Sequence, residues 1–215
     1  MIRFYGYYRS SAAYRCRIAF NLKGVSYDFQ SVHLRKDGGQ QKTAAYRALN
    51  PQALVPVLEA GDFRLTQSLA IIEWLDETHP GPKLVPQDAD LRAQVRAFAQ
   101  VIACDVHPLQ NLRVLDDLKT GFGADQAAAD AWCQRWITDG LAACEALLGR
   151  RGSSSFFFGE TPTLADICLV PQVFSAQRFG VDLSGMPRLR SIHERCEALR
   201  AFADAHPKRQ PDWEA

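Results

Sequence analysis

The sequence lacks an excess of either charge. Its 215 residues include 25 Lys and Arg against 24 Asp and Glu, which leaves a formal net charge of +1. Without a basic excess there is little to drive binding to a phosphate backbone, so nucleic acid is not an expected partner. Without a block of like charges, no disordered charged tail is expected either. Because 47% of the residues are hydrophobic, the chain can bury the core of one domain or of two small ones.

Long hydrophobic runs are also missing. The longest apolar stretches fall far short of the roughly 20 residues that a membrane-spanning helix needs. The N-terminal residues place a charge at Arg3 and contain no apolar segment of the kind found in signal peptides. The sequence therefore predicts a cytoplasmic protein without a membrane partner.

Cysteines at metal-binding spacing are a third absence. None of the six cysteines forms a C-x-x-C pair, and their spacing matches no zinc pattern, so no metal site is predicted. They are Cys16, Cys104, Cys133, Cys144, Cys168 and Cys196. Most lie inside apolar helical runs, which is typical of buried thiols that serve as small hydrophobic residues in a reducing compartment.

Strand and helix signals alternate over residues 1–80. An aromatic, β-prone run at 2–7 predicts a first strand, and the run at 12–23 predicts a helix that ends at Gly24. The further predicted elements are a strand at 27–34, a helix at 42–49, strands at 54–59 and 63–65, and a helix at 69–78. The order β-α-β-α-β-β-α indicates a mixed α/β unit.

The composition changes after this unit. Residues 79–86 contain three prolines, which is typical of a linker, and the rest of the chain has helical periodicity. Pro108 is expected to kink or break a long helix at 88–118, and Thr163 with Asp166 approximates a capping box at the start of a third helix. The other helices are predicted at 124–148 and 187–203. The predicted domains are therefore 1–80 and 88–215, joined by a linker at 81–87.

Ser10 and Ser11 stand directly before the first predicted helix. The first-turn amides of a helix are unpaired and its dipole is positive there, so this position suits an anion. A thiolate is such an anion, and a serine hydroxyl that donates to it would lower the pKa of the thiol. The alternative is that both serines only cap the helix.

Two further pairs suit a ligand. Cis peptide bonds occur almost only before proline, and a cis bond between Val55 and Pro56 would turn the Val55 backbone towards an extended peptide. An ordinary edge-strand proline is the alternative. Gln67 and Ser68 begin the helix at 69–78, where the helix amides suit a carboxylate or where the pair only caps the helix.

In their order and spacing, the run at 8–11, the Val55-Pro56 pair and the segment at 67–75 resemble the glutathione S-transferase family. Residues 10–15 are similar to the S-S-C-x-x-R hallmark of its zeta class. Other segments that look like this class lie at 36–41, 48–51, 107–112, 169–172 and 178–183. The resemblance covers nearly the whole chain and implies an α/β + all-α protein, with a thioredoxin-like N-terminal domain followed by an all-helical C-terminal domain.

One position departs from the hallmark, because Ala12 stands where the class has cysteine. In the family that cysteine tunes the site, while the first serine activates the thiol, so the resemblance still implies activity. The change also removes one thiol that could form a mixed disulfide with bound glutathione.

The resemblance implies that glutathione binds in the N-terminal domain. Ser10 is expected to activate its thiolate, with Ser11 second. The other glutathione contacts that it implies are Arg15, Gln41 at the glycyl end, Val55 with Pro56 at the cysteinyl backbone, Gln67 and Ser68 at the γ-glutamyl end, and His107 and Asn111 across a homodimer interface. Arg15 and Arg17, inside the first helix, are also typical of structural or rim positions, and His107 has a structural alternative beside Pro108.

The zeta class includes maleylacetoacetate and maleylpyruvate isomerases, whose substrates carry two carboxylates. Arginine binds carboxylates bidentately, so Arg9, Arg113 and Arg178, at class-matching positions, are the expected substrate ligands, with Arg9 also catalytic. In the implied reaction the glutathione thiolate adds to the cis double bond, the resulting single bond rotates, and expulsion of the thiolate gives the fumaryl isomer. Such a step belongs to the breakdown of tyrosine, phenylalanine or gentisate.

Two other functions stay open at this point. A general glutathione transferase would conjugate or dehalogenate small electrophiles and would consume glutathione, which an isomerase does not. A non-catalytic binding protein could use the same fold, although the presence of both Ser10 and Ser11 favours an enzyme. Maleylacetoacetate and maleylpyruvate are equally compatible with the sequence.

Overall fold

The computed structural model describes residues 1–152 and 154–214. Packing divides the chain into two compact units, one made of Met1–Leu84 with the segment 199–214 and the other of Val85–Ala198. The domain limits 1–80 and 88–215, with a linker at 81–87, stay a prediction.

In chain order, the main elements of the first unit are β1 (Ile2–Gly6), α1 (Ser11–Lys23), β2 (Asp28–Ser31), α2 (Ala44–Leu49), β3 (Val57–Ala60), β4 (Phe63–Thr66) and α3 (Ser68–Thr78). Its four strands form one sheet in the order β2-β1-β3-β4. Strand β1 is parallel to β2 and antiparallel to β3, which forms a hairpin with β4. The predicted element order is confirmed, and the topology is the thioredoxin-like one that the resemblance implied.

Helix α1 lies in the middle of this unit. Ten of its 13 residues are buried, among them the charged residues Arg15, Arg17 and Lys23. The helix begins where the Ser10 side chain caps it, and it ends at Gly24, whose φ of 63° is left-handed. Burying cations in a helix requires partners for each of them. Lys23 has one in Asp76, at 3.1 Å from Nζ to Oδ1.

The second unit is helical throughout its regular elements. They are α4 (Ala89–Gln100), α5 (Leu112–Phe122), α6 (Gln126–Gly149), α7 (Leu164–Arg178) and α8 (Pro187–Glu197). The helix predicted at 88–118 is interrupted by a π-helical turn at Val101–Val106 and a 3₁₀ turn at His107–Gln110. Pro108 lies in the second turn and has no N–H to continue an α-helix, so the predicted break is confirmed.

The single last helix predicted at 187–203 is wrong. Helix α8 ends at Glu197, and a separate helix, α9, runs over Arg200–Ala205. Leu199 between them is extended, with φ −81° and ψ 129°. Beyond it the chain joins the first unit, where Asn21 Nδ2 donates to the Ala201 carbonyl at 2.8 Å. The split occurs because α8 and α9 pack in different units.

The predicted capping box at the start of α7 is present. Thr163 Oγ1 accepts from the Ala165 amide at 3.3 Å, and Asp166 Oδ2 accepts from the Thr163 amide at 2.8 Å and from Thr163 Oγ1 at 3.1 Å. Asp166 Oδ1 accepts from the Phe157 amide at 2.9 Å. Complete burial raises the pKa of Asp166 to about 6, so the side chain is ionised above neutral pH.

Over the described residues, no helix combines the length and the hydropathy that crossing a membrane requires. All six cysteines are free thiols, and every one except Cys104 is buried, as expected for thiols that pack as hydrophobic residues. Burial raises the pKa of the Cys133 thiol to about 11, which keeps it protonated. Within the same residues, no group of three or more His, Cys, Asp or Glu side chains is placed to hold a metal ion.

Candidate functional site

The register of the sheet brings the three predicted ligand-binding features to one end of it. Tyr5, near the end of β1, lies opposite Val57 at the start of β3. Val57 in turn lies opposite Thr66 at the end of β4. These three strand positions are close in sequence to the predicted features. The turn before α1 comes shortly after Tyr5, the cis-proline pair directly precedes Val57, and α3 begins shortly after Thr66. The first unit therefore gathers Ser10, the Val55-Pro56 pair and the Gln67-Ser68 pair at a single sheet end.

Ser10 is the N-cap of α1. Its Oγ accepts a hydrogen bond from the Ala13 amide at 3.2 Å, so Ser10 does cap the helix. Capping uses the hydroxyl only as an acceptor, and its proton has no acceptor among the described residues. A hydroxyl both accepts and donates, so Ser10 can cap the helix and donate to an anion at the same time. Ser11 follows as the first residue of the helix and is buried.

The peptide bond between Val55 and Pro56 is cis, which decides between the two alternatives that the sequence leaves open. Across the described part of the chain, neither the amide nor the carbonyl of Val55 has a hydrogen-bond partner. Its side chain packs against a cluster formed by Val32, Tyr46 and Val57. A backbone that is fixed by packing and carries free N–H and C=O groups can pair with an extended peptide.

The N-terminus of α3 is suited to a carboxylate. Gln67, at φ 70°, makes no side-chain cap, and its Nε2 instead donates to Gln52 Oε1 at 3.0 Å. Ser68 is buried, and its Oγ accepts from Arg15 Nη1 at 3.3 Å. The free amides of the first turn, the Ser68 hydroxyl and the Arg15 guanidinium therefore meet at one place.

The guanidinium of Arg15 is buried and only partly hydrogen-bonded. Only 2% of the residue is exposed, and its Nε and Nη2 atoms are buried without a hydrogen-bond partner among the described residues. A buried cation with unpaired donors is unfavourable unless an anion completes its shell. A ligand carboxylate at the α3 N-terminus would supply that anion, so these residues fit the γ-glutamyl end of glutathione.

Gln41 offers a second unpaired group. It is buried in the loop between β2 and α2, where its Nε2 donates to the Leu34 carbonyl at 3.2 Å. Its Oε1 is buried without a partner in the part of the chain that the structure describes. Gly39, at φ 103°, is needed beside it, since a Cβ there would lie 2.9 Å from the Leu34 carbonyl oxygen. The free oxygen can accept from a ligand N–H, which fits the amide of a glycyl residue.

Arg9 lies in the turn between β1 and α1 and is half-buried. Its guanidinium has neither a hydrogen-bond nor an ion-pair partner within residues 1–152 and 154–214. Because arginine stays charged at neutral pH, this side chain is available to a carboxylate next to the Ser10 hydroxyl.

The other predicted site residues belong to the second unit. His107 begins the 3₁₀ turn, and Asn111 caps α5, its Oδ1 accepting from the Arg113 amide at 3.2 Å. The Arg113 residue is exposed. Arg178 ends α7, with its guanidinium carbon 4.3 Å from the centre of the Phe179 ring. The functional roles of these four residues stay a prediction.

Sequence reasoning missed Asp212 and undervalued Arg17. The Tyr8 amide donates to Asp212 Oδ2 at 3.0 Å, and Arg17 Nη2 donates to the Tyr8 carbonyl at 3.0 Å. Both contacts hold the turn that carries Ser10. No local pattern reveals them, because Asp212 lies in a polar, proline-containing stretch and Arg17 stands in a helix with few other charges.

Comparison with known proteins places these features in a family. Residues 4–83 match the N-terminal domain, and residues 126–205 the C-terminal domain, of glutathione S-transferases. A maleylpyruvate isomerase of Ralstonia sp. is 51% identical over 98% of this chain and 99% of its own.

Solved structures agree. The holo structure of a maleylpyruvate isomerase described as a bacterial zeta-class glutathione S-transferase has a TM-score of 0.95 and 50% identity, covering 99% of this chain and 100% of its own. A maleylacetoacetate isomerase from Anaeromyxobacter dehalogenans 2CP-1, with bound dicarboxyethyl glutathione and citrate, has a TM-score of 0.87 and 41% identity, covering 100% of this chain and 94% of its own. The chain thus belongs to the zeta class of glutathione S-transferases, the family of the maleylacetoacetate and maleylpyruvate isomerases.

Proposed function

We propose that this protein is a glutathione-dependent cis-trans isomerase that converts maleylacetoacetate or maleylpyruvate to the fumaryl isomer. The observation that carries the proposal is the sheet end that joins a hydroxyl donor at Ser10 to a carboxylate site at Ser68 and Arg15. The relatives at 51% and 50% identity are isomerases of this kind, and a solved relative binds both a glutathione conjugate and citrate in its active site.

The first unit supplies contacts for all three residues of glutathione. The α3 amides, Gln67, Ser68 and Arg15 hold the γ-glutamyl carboxylate, and Val55, fixed by Pro56, pairs with the cysteinyl backbone. Gln41 accepts from the glycyl N–H. These contacts direct the cysteinyl side chain towards Ser10. Once bound, glutathione supplies a sulfur nucleophile that can add reversibly to an activated double bond.

Ser10 is the residue that makes the sulfur reactive. Its hydroxyl proton donates to the thiolate, while the N-terminus of α1 adds a positive electrostatic potential. Ser11, buried at the first position of the helix, supports this environment. The hydrogen bond from Ser10 and the potential of the helix N-terminus each stabilise the ionised form of the thiol and lower its pKa. Ala12 places a methyl group where the class has a thiol, so the only reactive sulfur at this position arrives with glutathione.

Arginines bind the substrate. Arg9 stands beside the thiolate position with its guanidinium unpaired, and it binds one carboxylate bidentately. On the class resemblance, Arg113 and Arg178 are the proposed ligands of the other carboxylate. A fixed cation near the reacting carbonyl also stabilises the negative charge that develops there, without rearrangement during the reaction. Orientation by two carboxylate contacts leaves the central carbon–carbon bond free to rotate.

The protein acts as a homodimer in this proposal, in which His107 and Asn111 contact the glutathione of the partner subunit. Its cytoplasmic location stays a prediction.

An ultraviolet assay with both substrates tests the activity. Maleylacetoacetate and maleylpyruvate are each incubated with the enzyme, with and without glutathione, and free thiol is measured at the end. We expect isomerisation only with glutathione and no net loss of thiol, because the sulfur leaves again. Activity without glutathione would contradict the proposal, and stoichiometric consumption of thiol would indicate a conjugating transferase instead.

Replacing Arg15 separates binding from folding. The Arg15→Met variant is expected to raise the KM for glutathione at least ~10-fold, the effect of one lost hydrogen-bonded charge contact. Its unfolding midpoint should be unchanged or higher, because an apolar side chain replaces a buried and partly unpaired cation. Steady-state kinetics at varied glutathione and urea unfolding measure the two effects.

The matched control for Arg15 is Arg200→Met, at an arginine whose side chain is 95% exposed, and it should change neither quantity. A purely structural Arg15 would give the opposite result, a lower unfolding midpoint with an unaltered KM.

A further inference from the structure

We propose that Asp212 is a positioning residue for catalysis, which it serves by holding the turn at residues 7–10; this inference rests on the proposed function. The Tyr8 amide donates to Asp212 Oδ2 at 3.0 Å across 204 residues of sequence, and Ser31 Oγ donates to the same oxygen at 3.0 Å. Tyr8 precedes Arg9 and Ser10, the two residues to which the proposed function assigns charge binding and thiolate activation.

Arg17 fixes the other side of the same residue. Its Nη2 donates to the Tyr8 carbonyl at 3.0 Å and its Nη1 to the Tyr7 carbonyl at 3.4 Å, while its Nε donates to the Ala205 carbonyl at 3.0 Å. Both backbone groups of Tyr8 are therefore held, the N–H by Asp212 and the C=O by Arg17. Asp212 and Ala205 both belong to the segment 199–214. This segment therefore forms a brace on the turn with two contacts, one made directly by Asp212 and the other made by Ala205 through Arg17.

The positive charge of Arg17 strengthens its part of this brace. Arg17 is wholly buried, which lowers its pKa to about 10. Arg17 therefore keeps its charge near neutral pH, and its bonds to the two carbonyls stay charge-assisted. The role of Asp212 itself lies in the hydrogen bonds that it accepts from the Tyr8 amide and Ser31 Oγ.

The brace bears on Ser10 through the turn itself. The Ser10 amide donates to the Tyr7 carbonyl at 3.0 Å, so the orientation of the Tyr7 and Tyr8 peptides determines where the Ser10 hydroxyl lies. A preorganised hydrogen-bond donor loses much of its catalytic effect when it is displaced by about 1 Å. Loss of the Asp212 contact should therefore weaken thiolate stabilisation while it leaves the contacts at the α3 N-terminus intact.

The test compares full-length Asp212→Ala with the native enzyme. Measurements are kcat, the KM for glutathione, the melting temperature and the pKa of the bound glutathione thiol, followed as thiolate absorbance against pH. We expect kcat to fall ~10-fold and the pKa of the bound thiol to rise by about 1 unit, one order of magnitude in each case. The KM for glutathione should stay within about twofold, since its main contacts lie elsewhere.

Two further variants and a control complete the design. Asp212→Asn keeps an acceptor oxygen for Tyr8 and Ser31, and it should recover most of the lost kcat. Asp212→Glu keeps acceptor and charge but moves them by one methylene, so it should fold even if the Ala variant does not and still show a several-fold lower kcat. Asp204→Ala removes a carboxylate of the same segment whose side-chain bonds are to the exposed Arg200 and Arg209, and it should behave as native.

The outcomes separate this inference from the proposed function. An active native enzyme whose Asp212 variants keep both kcat and the thiol pKa overturns the role of Asp212 alone. A lower melting temperature with unchanged kcat and thiol pKa overturns it too, because that is the signature of a structural brace. A native enzyme that neither binds glutathione nor isomerises either substrate overturns the proposed function and this inference together.

Discussion

The Ser10→Ala variant is expected to lose at least ~100-fold in turnover on maleylacetoacetate or maleylpyruvate, the low end for removal of one preorganised hydrogen-bond donor. The hydroxyl of Ser10 has a proton that no described residue accepts, and it stands at the positive end of α1. Without it the pKa of the bound glutathione thiol should rise, so turnover should recover in part at higher pH. Turnover against pH and thiolate absorbance against pH measure the two effects.

The same substitution also removes a helix cap, because Ser10 Oγ accepts from the Ala13 amide. Losing an N-cap costs about 1 kcal/mol of stability, which must be distinguished from the catalytic effect. Asp88→Ala is the matched control, since Asp88 caps α4 through the Leu91 amide at 2.8 Å and is exposed. It should lower stability by a similar amount and leave turnover unchanged.

Ser10→Thr completes the comparison. Threonine keeps both the cap and the hydroxyl proton, so turnover within about tenfold of the native value is expected. Ser11→Ala should have a smaller effect than Ser10→Ala. Native turnover in Ser10→Ala would assign thiolate activation to another group, with Ser11 the first to examine.

Local sequence patterns predict most of this fold because the signals that define it are short-range. Ser10 and Gly24 delimit α1, Pro108 ends a helical run, and Thr163 with Asp166 begins α7, each through the backbone chemistry of its own position. The break at Leu199 could not be predicted in this way. The periodicity of 187–203 is continuous, and only the packing of α9 in the first unit, shown by Asn21 and Ala201, separates the two helices.

The candidate site was only partly predictable, for a related reason. Ser10, Val55 and Gln67 each have a local signal, but their meeting depends on the register that places Tyr5 opposite Val57 and Val57 opposite Thr66. Register is decided by long-range pairing rather than by periodicity alone.

Arg15 shows most clearly how little of the site local sequence can predict. Its sequence position is equally compatible with a structural role, and only three-dimensional packing shows a guanidinium that is buried, bonded to Ser68 and otherwise unpaired. Asp212 has no local signal of any kind.

Asp166→Ala is expected to lower the free energy of unfolding by about 3 kcal/mol or more. The carboxylate accepts from the amides of Phe157 and Thr163 in a wholly buried place, and each buried donor left unpaired costs about 1–3 kcal/mol. Urea unfolding at pH 8, where Asp166 is ionised because its pKa is about 6, measures the loss as a shift of the midpoint at constant slope.

Controls for Asp166 decide whether burial or capping causes the loss. Asp88→Ala removes an exposed cap and should cost only about 1 kcal/mol, whereas Asp166→Asn keeps one acceptor oxygen and should fall between the two alanine variants. Equal losses for Asp88→Ala and Asp166→Ala would contradict the argument, because they would show that the bond to Phe157 adds nothing to the cap. The larger loss would show that this one carboxylate joins the loop before α7 to the helix itself and stabilises the second unit through both contacts.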